Sequence, residues 1–153
     1  MDAAIVAEPN ATTAEDLRAA VKWRSYGDLR PGLQAGAIVY GPALAGAQAE
    51  LGRRWMLAYA RGVRDYTSLL RQAGGRQELA MLLAPRLPIR DRQLYDRVSY
   101  ADLDPNLQMN EPSLAELLAW STARGLVTGS IDLSRAMDTS YTQYALGRLG
   151  PQF

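Results

Sequence analysis

Cysteine and histidine are both absent from this 153-residue chain. Their absence excludes disulfides, thiolate zinc sites, a cysteine nucleophile and every dyad or triad that turns on imidazole. Lysine occurs once, as Lys22, and the other basic residues are arginine, a bias that a GC-rich coding sequence explains without any functional demand. An excess of charge is lacking too. Seventeen basic residues face sixteen acidic ones, a net charge of +1, so no global field draws the chain to nucleic acid or to an acidic membrane. No apolar run reaches the roughly 18 residues of a membrane-spanning helix. The opening residues Met1-Asp2-Ala3-Ala4-Ile5-Val6 carry no basic region, no long apolar stretch and no cleavage site. They are not expected to form a signal peptide; they read as the middle of a strand, and with Met1 as a true start the expected location is cytoplasmic. Walker, G-x-G-x-x-G and G-x-S-x-G patterns are missing, and Lys22 has no serine partner in a catalytic pattern. The expectation is a protein that is not an enzyme and needs no cofactor.

What is present is a chain 48% hydrophobic, enough for a core and too apolar for disorder. Residues 2–8 (Ala3, Ala4, Ile5, Val6, Ala7) read as a buried strand ended by Pro9. Thr12 or Thr13 is a candidate N-cap for a helix to about residue 20, with Glu15 and Asp16 in its first turn. Further strands are expected at 21–25 and 33–40, around a loop at 26–32. The order β-α-β-loop-β points to an α/β sheet.

Beyond Gly41 the pattern turns helical. Over 50–73, Leu51, Trp55, Ala58, Tyr59, Gly62, Val63, Tyr66, Leu69 and Leu70 recur at spacings of three and four and predict one apolar face. Gly62 lies inside this helix, which predicts a close neighbour, and Gly74-Gly75 ends it. Helices are also expected at 76–84 and 90–98, from Pro112 to a cap at Gly125, and over 132–149, with a polar connector at 101–110. Three short strands serve five or more helices, so the sheet needs strands that this sequence does not contain.

Three constellations bear on chemistry. Asp102 and Asp104 beside Pro105 and Asn106 could ligate a hard cation, but the twelve-residue calcium-loop pattern is absent, and a solvated turn is the expectation. Between residues 51 and 100, ten basic residues face four acidic ones. Arg53, Arg54, Arg61, Arg64 and Arg71, with Trp55 and Tyr59 interleaved, resemble a basic-aromatic stripe for nucleic acid. Because Trp55, Tyr59 and Tyr66 fall on the apolar face, core packing would consume them, leaving a solvated arginine face. Last, Glu8-Pro9-Asn10-Ala11-Thr12-Thr13 joins a strand to a helix N-terminus, where open α/β folds bind ligands; periodicity alone favours an ordinary β-to-α loop with a capping threonine.

Several segments then occur in a telling order: "DAAIVAEPNAT", "LQAGAIVYGPALA", "ELGRRWMLAYARGVRDY", "LDPNLQMNEPSLAELLAWSTARGLV" and "IDLSRAMDTSYTQYALGRLG". Together they resemble the C-terminal half of ABC-importer substrate-binding proteins of the nitrate/sulfonate/taurine and thiamine-pyrimidine type. The resemblance implies an α/β, mostly helical chain forming the C-terminal part of a type-2 periplasmic-binding-protein fold with an incomplete sheet. Residues 1–33 would be a β-α-β remnant of the second lobe. Residues 34–153 would supply a crossing strand and the C-terminal helices of the first lobe, whose core is absent here along with the signal peptide. It implies a periplasmic protein that captures a small polar organic ligand for an ABC permease, with Glu8, Pro9 and Asn10 in the cleft. Its partners would be that ligand, the permease, and the missing N-terminal lobe or a second chain; neither nucleic acid nor membrane insertion is expected. Two positions depart from the family's habit: Leu107 stands where a glycine often follows Asp-Pro-Asn, and Asn10 where an aromatic often follows Glu-Pro. Some relatives make a thiamine pyrimidine from their own histidine, chemistry that this histidine-free chain cannot do. With one lobe incomplete, the 153 residues alone are expected to bind solute weakly. The alternative is a helical interaction module that binds nucleic acid or protein through the basic stretch 53–97.

Overall fold

The structure, a computed structural model, describes residues 2–152. Among the described residues there are nine helices and no strand: α1 Asn10–Asp16, α2 Tyr26–Leu29, α3 Pro42–Ala45, α4 Ala49–Arg71, α5 Gly75–Leu83, α6 Arg92–Arg97, α7 Glu111–Ala123, α8 Leu133–Ala136 and α9 Ser140–Leu149. The expected α/β class is therefore overturned, and with it the type-2 periplasmic-binding-protein sheet. The three strand-like segments, 2–8, 21–25 and 33–40, form no β-ladder. The physical reason is pairing. A strand is stable only when its backbone groups find a neighbouring strand, and apolar composition alone does not supply one. Most of their apolar side chains consequently stand in solvent: Ile5 is 81% exposed, Val21 86% and Val39 88%.

The helical expectations fare better. The long helix at 50–73 is α4, ending at Arg71. Left-handed Gly74 (φ +79°) opens α5, and at Gly75 a Cβ would lie 1.7 Å from the Leu69 carbonyl oxygen. Pro112 sits in the first turn of α7, where its missing N–H costs nothing, and Asn110 caps the helix by accepting from the Ser113 amide. The region 132–149 is two helices, because Asp138 accepts from the Ser140 amide and starts a new one.

The chain divides into two compact units, Met1–Ser25 with Gly62–Leu103, and Tyr26–Arg61 with Asp104–Phe153. In the first, α5 packs on α6 around Ala80, Ala84, Leu94, Tyr95 and Val98, with Ile89 and Tyr100 at the edge. Burying Leu94 and Val98 stabilises this unit by about 1.5–3 kcal/mol each. Arg76 ties the cluster down: it donates to the Val98 carbonyl at 2.7 Å and lies over the Tyr100 ring at 4.9 Å. In the second unit, Met56, Ala60, Tyr141 and Ala145 form the core, joined by Tyr40, Leu57, Tyr59, Leu107 and Leu149. Tyr40 stacks on Tyr141 with ring centroids 4.4 Å apart. The Asn110 side-chain amide also donates to the Gly32 carbonyl, its backbone amide donates to the Gln34 side-chain carbonyl, and the Gln34 backbone amide donates to the Ser113 hydroxyl. That network fastens 32–34 to the start of α7.

The buried stripe of α4 is only partly the one predicted. Val63 is buried as expected and Tyr59, Tyr66, Leu69 and Leu70 are half-buried, but Met56, Ala60 and Thr67 are buried as well, whereas Leu51 and Trp55 are about half exposed. Apolar residues cover a wide arc of this helix, and packing selects only one side of it. Gly62 has open space around it, not the close neighbour expected from sequence. The close approach is at Gly52, where a Cβ would come within 2.8 Å of the Tyr141 ring.

Candidate functional site

Glu8, Pro9 and Asn10 lie at the entry to α1, in the first unit. The Glu8-Pro9 peptide bond is cis. Glu8 is half-buried, and its carboxylate is fully engaged. One oxygen accepts from the Thr12 amide at 3.0 Å and the Thr12 hydroxyl at 2.8 Å. The other accepts from Lys22 Nζ at 3.1 Å and the Ser99 amide at 3.2 Å. Lys22 Nζ also donates to the Thr12 hydroxyl at 2.9 Å and lies 3.6 Å from Glu15. Partial burial pushes the Glu8 carboxyl up. The hydrogen bonds from Thr12, Ser99 and Lys22 outweigh it, and the net shift is downward.

The sequence offers the amides of this helix start to an external anion. In the structure Glu8 takes that role: its own carboxylate satisfies the Thr12 amide, displacing Thr12 and Thr13 as caps. Thr13 instead donates its hydroxyl to the Pro9 carbonyl at 3.0 Å. Of the three residues, Asn10 alone is exposed. Glu8 thus fixes the corner and Asn10 projects from it. Asp16, at the far end of α1, pairs with Arg97 and secures the helix to α6.

The other constellations resolve as follows. Asp104 accepts from the amides of Asn106 at 2.8 Å and Gln108 at 2.9 Å, an Asx turn that leaves Leu107 at φ +54°. Among the described residues no group of three or more metal-ligating side chains is clustered. Arg53, Arg54, Arg61 and Arg71 are exposed, as is Trp55, whose ring stacks on Tyr59 at 5.4 Å. Tyr66, by contrast, is drawn into its unit and donates to the Ala101 carbonyl at 2.6 Å. Burial pushes its hydroxyl up to about 12, reinforced by Tyr100 and Asp102. Sequence reasoning missed Ser99 and Lys22 as partners of Glu8. They are 91 and 14 residues away along the chain, and no local pattern announces such a contact.

Comparison with family models, curated proteins and solved structures returns no match. No helix among the described residues is long and apolar enough to cross a membrane.

Proposed function

We propose that this chain is the ligand-capturing portion of a solute-binding protein serving an ABC importer. It takes a small polar organic molecule, a sulfonate, a nitrate-type anion or a thiamine-pyrimidine precursor, without covalent chemistry. The observation that carries this reading is the backbone at Leu107. The resembled family often has glycine after Asp-Pro-Asn, and Leu107 holds φ +54°, in the region that favours glycine. The turn thus adopts the conformation that such a glycine serves. The Glu8 corner supports the same reading. A saturated Glu8 carboxylate holds the turn and presents Asn10 on a fixed base. In this account Asn10 meets the ligand, and Glu8 and Pro9 position it.

Capture would be completed by a further polypeptide, either a preceding lobe or a second chain. The test is calorimetric titration of the protein as its full reading frame encodes it, with an alkanesulfonate, nitrate and a thiamine-type aminopyrimidine. Saturable binding of one of the three is the expected result. Absence of heat with all three would overturn the proposal.

A further inference from the structure

A surface cavity lies in the first unit, away from the residues assigned above. Tyr66, Thr67, Leu70 and Arg71 on the last turns of α4, with Ala101, Asp102 and Leu103, enclose a half-open cavity of about 170 Å³. A water needs roughly 10–15 Å³ by this measure, so the space admits a molecule of roughly ten heavy atoms. The cavity wall is fixed: the Tyr66 hydroxyl holds the Ala101 carbonyl at 2.6 Å, and the Tyr100 ring meets Tyr66 edge-on at 6.0 Å. Thr67 is buried and spends its hydroxyl on the Arg64 carbonyl at 3.1 Å. The lining therefore offers two charges, Arg71 and Asp102. They border one cleft, yet no ion pair joins them, and neither pairs with another described residue. The half-buried Leu70 and Leu103 supply an apolar floor.

We infer that this cleft binds a small zwitterion, an ω-amino acid whose carboxylate meets the Arg71 guanidinium, whose ammonium meets Asp102, and whose methylenes lie on Leu70 and Leu103. Opposite charges that share a cleft without touching leave room for a ligand that bridges them. A singly charged molecule satisfies only one end. Both side chains are solvent-accessible, so solvent screens the contacts, and the expected dissociation constant is on the order of 1 mM.

The experiment is an amide chemical-shift titration of the 153-residue chain with glycine, β-alanine, 4-aminobutyrate and 6-aminohexanoate, with butylamine and butyrate as single-charge controls. One member of the series is expected to saturate, moving the amides of 66–71 and 101–103, with the controls at least about tenfold weaker. Arg71→Gln and Asp102→Asn should each weaken binding by about tenfold or more, while their spectra elsewhere stay unchanged. Both positions are on the surface; Asn has the shape of Asp, and Gln is a shorter, neutral replacement for Arg. Absence of any saturable shift would overturn the inference. So would controls that bind as well as the amino acids, or variants that bind like the parent chain.

Discussion

Leu107 sets two local forces against each other. Its backbone sits at φ +54°, a conformation that costs a non-glycine residue about 1 kcal/mol or more. Its side chain packs on the Met56 and Tyr141 cluster and recovers that cost. Leu107→Ala loses the packing and keeps the strain; Leu107→Gly loses the packing and sheds the strain. We expect the glycine variant to be the more stable of the two by about 1 kcal/mol, the reverse of the usual order. Paired urea denaturation curves measure it, and an alanine variant at least as stable would remove the strain from the account. At Glu8 the sign of the pH effect follows from the lowered carboxyl. Its contribution is fully present above the unfolded value of 4.5 and is lost as pH falls through the lower folded value. Glu8→Gln should destabilise by about 1–3 kcal/mol at neutral pH, because Lys22 and two amides lose a charged acceptor. The difference between the variant and the parent chain should shrink on acidification, and it should be measured as unfolding free energy against pH.

The elements were unequally legible from sequence. α4 follows from periodicity alone, since 23 residues of helical spacing leave no competing pattern. The stops at Gly74 and Gly125, both at positive φ, follow from glycine chemistry. The apolar stretches at 2–8, 21–25 and 33–40 have strand composition but no strand. Local composition cannot report whether a partner is within reach, and that decides a strand's existence. The choice of buried face on α4 was only partly right for a related reason: Leu51, Trp55, Met56, Tyr59, Ala60 and Val63 all satisfy an apolar pattern, and long-range packing selects among them. Of the candidate site, the Glu8-Pro9-Asn10 corner was visible, but the partners of Glu8 were not. Gly62 carries the element-scale prediction. It lies mid-helix with open space where a Cβ would stand. Gly62→Ala should therefore stabilise the chain by about 0.5–1 kcal/mol, read as a raised denaturation midpoint. A lowered midpoint would mean that something packs there.

At the scale of the whole molecule, exposed apolar surface stands out, and α7 carries part of it. None of its residues is buried, and Leu117 and Trp120 are about half exposed, although a helix apolar on several sides is ordinarily covered. Such a surface fits a chain that works joined to another polypeptide, as the proposed role in solute capture requires. The most direct measurement is the dissociation constant of the captured solute in the full-length protein and in its Asn10→Ala variant. The account predicts at least tenfold weaker binding in the variant, about 1.4 kcal/mol, with an unchanged unfolding midpoint. Equal affinity in the two proteins would contradict it.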